Sequence, residues 1–300
     1  MRKAKVLSAV SILLILIFVL TGCKGSTKEE QVSGEITEPI KQYKFGYSCI
    51  TMDNPYFITL EASIRQKVES DGHTLITKDP KNDVELQIQQ IQEMIDEGID
   101  AIFLTPVDWI DITPAITALK KAGVKIINVD TQVQAIDEID AYIGSDNKNA
   151  GTLCGEDLLT RLPDGGKVLI LECPTMNSIN DRITGFEETI AKKGFDIVAR
   201  ADVQGDLGKA LETTKTALIE NPDISVIMCG NDHSTVGALA AVNDAGRTDI
   251  IIYGVDGSPE IKKELVKEYP LIAATAAQSP KKMGEEAVKV ALQIMKGEKY

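Results

Sequence analysis

The chain has 300 residues, 43% of them hydrophobic, enough for one large domain or two ordinary ones with a substantial buried core. Its formal net charge of −13 argues against a phosphate-binding surface, and so against a nucleic-acid partner, which needs a basic excess. Five cysteines without Cys-x-x-Cys spacing and only two histidines give no transition-metal cluster and no cofactor motif.

At the N-terminus, Arg2, Lys3 and Lys5 precede an unbroken, mostly aliphatic run over 6–20. The run is short for a membrane span of about 20 residues, and its charge asymmetry fits an export signal, with a retained transmembrane anchor as the alternative. Leu20-Thr21-Gly22-Cys23 resembles a bacterial lipobox. That resemblance implies removal of a signal peptide, 1–22, and lipidation of Cys23, so that the protein is tethered to the membrane by acyl chains and does not span it. Residues 23–42 are rich in Gly, Ser, Thr, Glu and Lys, lack periodicity, and read as a flexible tether.

From residue 43 the sequence alternates. Strand patterns over 43–50, 74–78, 101–105 and 125–130 are separated by amphipathic helical patterns over 56–70, 84–97 and 112–122, and this first α/β unit ends near 141–144. Gly72, Gly98 and Gly123 each follow a helical pattern where a left-handed C-terminal cap is expected. A second series follows, with strands at 167–171, 196–202, 226–229, 250–255 and 271–276. Its helices fall at 147–161, 179–193, 208–221, 235–245 and 258–267, and a last helix at 281–296. Repeated βα units of this kind predict an α/β fold of two doubly wound parallel-sheet lobes joined by a hinge, with a first crossing near Ser145. The predicted lobes are 43–145 plus 279–300, and 146–278. Cys49, Cys154, Cys173 and Cys229 lie far apart in a chain that needs no disulfide staples, and Cys49, Cys173 and Cys229, in or at the ends of strand patterns, read as small buried hydrophobes.

In such sheets ligands bind beyond the carboxyl ends of the strands. Those positions hold Asn54, Tyr56 and Phe57; Thr105; Asp130 and Thr131; Asn231 and Asp232; Asp256; and Gln278. Amides, carboxylates and hydroxyls match the hydroxyl ring of a sugar, and aromatic rings cover its apolar faces. Arg182, near the start of a second-lobe helix, adds a fixed fork of donors. Each residue alone is as consistent with a helix cap or a turn; their recurrence at the same place in successive units is the stronger signal.

The order Asn54-Pro55-Tyr56-Phe57, Val129-Asp130, Ser145-Asp146-Asn147, Asp181-Arg182 with Gly185-Phe186, Asn231-Asp232, Gly254-Val255-Asp256-Gly257 and Ala277-Gln278 resembles the ribose/galactose-type sugar-binding proteins of bacterial ABC transporters. The resemblance spans 43–299. It implies a type I periplasmic binding protein fold whose lobes close on a monosaccharide, with ligand contacts at Asn54, Tyr56, Phe57, Asp130, Arg182, Asn231, Asp256 and Gln278 and hinge crossings near Ser145 and Gln278. It also implies a third crossing and a last strand, which would fall beyond Tyr300. Ribose binders of this family carry an Arg where this chain has Thr131, an amide where it has Thr105, and a second-lobe aromatic where it has Gln204-Gly205-Asp206. Another pentose, a hexose or a polyol therefore fits as well as ribose.

Enzymatic readings are poor. His233 lies near Asp232 and Ser234, but residues adjacent in sequence do not adopt triad geometry, and no Gly-x-Ser-x-Gly elbow is present. Asp79-Pro80-Lys81-Asn82-Asp83 puts Lys81 at a ligand position of a calcium loop and lacks its central Gly, so it reads as a loop leading into a helix. The resulting expectation is a monomeric, extracytoplasmic binding protein without cofactor or metal, serving an ABC permease. The alternative is a receptor presenting a sugar or furanosyl signal to a sensor kinase or chemoreceptor.

Overall fold

In the computed structural model, residues 41–268 and 270–298 are described, so the predicted signal peptide, Cys23 and most of the predicted tether lie outside them. No helix of the described residues is long and apolar enough to cross a membrane.

Two five-stranded parallel sheets follow the two series of the sequence. The first contains β1 (Lys44–Ser48), β2 (Thr74–Lys78), β3 (Ala101–Leu104), β4 (Lys125–Val129) and β5 (Ala141–Ile143) in the order β2-β1-β3-β4-β5. The second contains β6 (Gly166–Glu172), β7 (Phe195–Asp202), β8 (Ile224–Cys229), β9 (Ile251–Asp256) and β10 (Ile272–Ala277) in the order β10-β9-β8-β6-β7. Helices α1 (Pro55–Ser70), α2 (Val84–Asp96) and α3 (Thr113–Lys121) connect the first sheet. Helices α4 (Asn147–Arg161), α5 (Asn177–Ile190), α6 (Leu207–Glu220), α7 (Asp232–Asp244) and α8 (Pro259–Leu265) serve the second, and α9 (Pro280–Met295) closes the series.

Strand alternation feeds both faces of each sheet. In β6, Val168 and Ile170 join the cluster of Cys154, Leu158, Ile183 and Phe186 from α4 and α5. Leu169 and Leu171 join Ala210, Leu218, Ala238 and Val242 from α6 and α7. In the first sheet Phe45, Tyr47 and Phe103 meet Leu60, Ile64 and Val288 of α1 and α9, while Ile102 and Leu104 meet Ile91, Met94 and Ile116 of α2 and α3. Helix α9 thus lies on α1, β4 and β5, although it follows the whole second sheet in sequence.

Most helix starts are fixed by an oxygen of the preceding residue. Asn54, Asp83, Asp146, Asp206, Asn231, Ser258 and Ser279 each accept from a backbone N–H of the first turn. Helix α7 starts earlier than its apolar period predicts because Asn231 caps it, and Asp232 becomes its first helical residue. Helices α4 and α5 touch backbone to backbone. A Cβ at Gly151 would lie 1.8 Å from Arg182 O, and one at Gly185 would lie 2.0 Å from Lys148 O, so only glycine fits at either place. That contact sets the position of the α5 turn that carries Arg182. The four cysteines among the described residues are buried free thiols, pushed by burial to about 12 for Cys49, Cys154 and Cys229 and about 11 for Cys173.

Candidate functional site

The strand ends of the two sheets open onto one cleft, whose empty space, its mouth included, is about 600 Å³. Asn54, Tyr56, Phe57 and Asp130 line it from the first sheet's side, Arg182, Asn231 and Asp256 from the second's, and Gln278 from a crossing between them. The two crossings touch: the Ser145 hydroxyl donates to Gln278 Oε1 at 2.6 Å, and Gln278 Nε2 donates to Asp256 Oδ1 at 2.8 Å.

Arg182 is the electrostatic centre. It is 3% exposed, donates through Nε to Asn147 Oδ1 at 2.9 Å and through one terminal nitrogen to Gly230 O at 2.8 Å, and lies 3.6 Å from Asp256 Oδ1. Burial pushes Asp256 up to about 7; Arg182 opposes the shift, while Asp232 and Asp130 add to it. Burial likewise raises Asp130, against the pull of Arg182 and of the bond from Tyr56. That bond is a 2.8 Å donation from the Tyr56 hydroxyl to Asp130 Oδ1. Burial and the charges of Asp130 and Asp256 hold Tyr56 well above its ordinary value, so it serves as a neutral donor. Its ring meets Phe57 edge to face, with centroids 5.3 Å apart at 90°.

Backbone strain gathers at the same place. Six described non-glycine residues have positive φ, and four of them, Asn82, Asp130, Gln204 and Asp256, line the cleft. Asp130 at φ 69 sits in the left-handed region that aspartate tolerates, whereas Asp256 at φ 140 is held there against a cost of about 1–3 kcal/mol. Such positions persist where the surrounding contacts over-determine them, and here both carboxylates line the cleft, with Asp256 3.6 Å from the Arg182 guanidinium.

The structure does not bring Thr105 and Thr131 to the cleft surface. Thr105 is fully buried beneath it: its hydroxyl donates to Val129 O at 2.9 Å, and its carbonyl accepts from Gln87 Nε2 at 3.0 Å. The buried Gln87 also donates to Ser48 Oγ and Cys49 O and accepts from Val107 N, tying the first sheet's strand ends together. Thr131 is turned away by the positive φ of Asp130, and its hydroxyl is 2.6 Å from Ser178 Oγ.

Met176, Ser178 and Ile179 line the cleft and were not expected from the sequence. They follow the carboxyl end of β6, where the same strand-end rule finds them. Gln204, Gly205 and Asp206 line it as well, but Gly205 does not leave that side open. A Cβ there would meet Asn231 Nδ2 at 2.9 Å and Met176 Cε at 3.6 Å, so an amide and a thioether stand where the resemblance implies an aromatic ring. His233 also lines the cleft.

A buried cleft with one guanidinium, two carboxylates, a phenol, amides and an aromatic pair is suited to a small neutral polyhydroxyl ligand. Its groups alternate donors and acceptors around apolar ring faces. A family model described as a periplasmic binding protein domain matches residues 45–299. The ribose import binding protein RbsB of Bacillus subtilis strain 168 is 29% identical over 293 residues, covering 97% of this chain and 94% of its own length. A solved ABC transporter solute binding protein from Mycobacterium smegmatis, with bound glycerol, aligns with a TM-score of 0.82 at 28% identity over 87% of this chain and 90% of that one. An ABC transporter periplasmic solute binding protein from Actinobacillus succinogenes 130z, with bound D-allose, gives 0.77 at 29% identity over 86% and 93%.

Proposed function

Because this chain belongs to the periplasmic binding protein family, we propose that it captures a monosaccharide in the cleft and delivers it to an ABC permease. The family is one of binding proteins, and the chain is a binding protein, not an enzyme. The observation that carries the sugar reading is Arg182, buried 3.6 Å from Asp256 in the cleft that Asp130 and the Tyr56–Phe57 ring pair also line. An arginine fork donates to neighbouring hydroxyls, the carboxylates accept from them, and the rings cover a face that has none. Asn54, Asn231 and Gln278 complete the proposed contacts. The lobes of this reading are 43–145 with 279–300, and 146–278, a division supported by the two sheets and by the lie of α9 on α1. Each lobe supplies part of the contact set, so ligand binding and closure are linked.

Titration calorimetry and thermal unfolding with D-ribose, D-allose, other pentoses and hexoses, and polyols test the proposal. At least one sugar should raise the unfolding temperature in a concentration-dependent way, because a ligand bound only by the folded form stabilises it by mass action. A flat response across the panel rejects a monosaccharide ligand.

The lipid anchor at Cys23 is part of the same proposal and is supported by the Leu20-Thr21-Gly22-Cys23 motif. In a bacterial host, radiolabelled fatty acid should enter the wild-type protein and not Cys23→Ala. Equal labelling of both removes the anchor from the account.

A further inference from the structure

Thr131 follows β4 of the first sheet, and Ser178 lies in the first turn of α5 on the second, yet their hydroxyl oxygens are 2.6 Å apart. Thr131 is fully buried and Ser178 is 3% exposed. Away from the Ser145 and Gln278 crossings, this is the one side-chain hydrogen bond among the described residues that joins the two lobes. The ion pairs among the described residues all stay within a lobe. A backbone bond from Trp109 N to Thr175 O at 3.0 Å reinforces the same seam.

The Thr131 side of the seam is rigid. The buried Asn128 amide donates to Thr131 O at 2.8 Å and to Leu104 O at 3.0 Å, while its Oδ1 accepts from Val133 N. The partner, Ser178, stands one turn before Arg182 on α5. Approach of the lobes therefore forms the Thr131–Ser178 bond and brings Arg182 towards Asp130 in the same movement.

We propose that Thr131 and Ser178 form a closure latch, in which Thr131 sets ligand affinity through the lobe equilibrium without touching the ligand. When the lobes part, each hydroxyl returns to water; when they meet, an unmade bond leaves a buried polar atom unpaired. The latch biases the closed arrangement whether or not a ligand is present, so it multiplies every ligand's affinity by one factor and chooses among none. The affinity arm of the proposal rests on the sugar reading of the cleft; the conformational arm does not.

Thr131→Val keeps the side-chain shape and deletes the hydroxyl. It should weaken D-ribose and D-allose by the same factor, on the order of tenfold, chiefly through faster dissociation. Ser178 lines the cleft, so Ser178→Ala serves as a background: in it, Thr131→Val should cost no further affinity and should recover part of the loss, because it removes the hydroxyl left unpaired. With one dye on each lobe, single-molecule energy transfer on the sugar-free protein should show the closed fraction falling by the same factor in Thr131→Val. Unequal losses for the two sugars, a full loss in the Ser178→Ala background, or an unchanged closed fraction would each overturn the latch. Failure of every sugar of the panel to bind wild type, with the closed fraction still shifted by Thr131→Val, would reject the sugar reading and leave the latch standing.

Discussion

Arg182→Ala is expected to remove about 2–5 kcal/mol of sugar affinity, the usual cost of truncating one partner of a buried charged contact. The same change should destabilise the sugar-free protein by about 3–5 kcal/mol at neutral pH, because it strands buried carboxylates. Asp130 and Asp256 are both raised by burial, and Arg182 is the cation that opposes the shift in each. Without it, both carboxyls rise further and the folded state carries the cost of their charge. The loss of stability should therefore shrink as pH falls and the carboxyls take up protons, since a neutral acid needs no counter-charge. Adding Asp256→Asn to Arg182→Ala should recover part of the stability and none of the affinity. Urea unfolding at several pH values and calorimetry with the best sugar of the panel read the two effects separately. Wild-type affinity in Arg182→Ala would show that the guanidinium does not face the ligand.

How much of this was legible in the sequence differs between the scaffold and the site. The parallel α/β order could be read because β-branched runs and amphipathic helices alternate, and because buried strands such as Val168–Leu171 feed two faces at once. Asn54 and Asn231 could be read as strand-end residues, but the choice between cap and cleft residue was a false one. Each caps its helix through Oδ1, onto Tyr56 N and Ser234 N, while its side chain also lines the cleft. Thr105 and Thr131 occupy the same sequence position as true cleft residues and point elsewhere. The deciding variable is the dihedral at the turn: φ 69 at Asp130 sends the carboxylate into the cleft and the next hydroxyl towards α5. No local pattern encodes that. Ser178 and Met176 were missed because the β6 loop carries proline and threonine in place of the amides and carboxylates that mark the other strand ends. Asn147, which accepts from Arg182 Nε, and Gln87, which ties together the ends of β1 and β3, act over long sequence separations and need the tertiary fold to be seen.

The second large effect is a pH dependence centred on Asp256. Its folded-state value of about 7 stands above the ordinary carboxylate range, with burial as the main cause, Arg182 pulling it down, and Asp232 and Asp130 pushing it up. A carboxyl raised on folding binds its proton more tightly in the folded state than in the unfolded one, so stability falls as pH rises between the two values. From this group the penalty should be absent near pH 4, grow up to about pH 7, and stay constant above, with a size on the order of a few kcal/mol. Asp256→Asn keeps the side-chain shape and removes the titration. Its stability relative to wild type should therefore improve steadily from pH 4 to pH 7 and then level off, while a shallower slope remains from Asp130, which burial also raises. Sugar affinity should run the opposite way. The ionised carboxylate is the stronger acceptor for a ligand hydroxyl, so wild-type affinity should climb between pH 6 and pH 8. Asp256→Asn should bind about 1.5–3 kcal/mol more weakly at pH 8, with little pH dependence in that range. Chemical denaturation and calorimetry across pH 4–8 check both arms. A pH-independent difference in stability between the two proteins would place the raised carboxyl elsewhere, and equal affinity at pH 8 would take Asp256 out of the ligand's contact set.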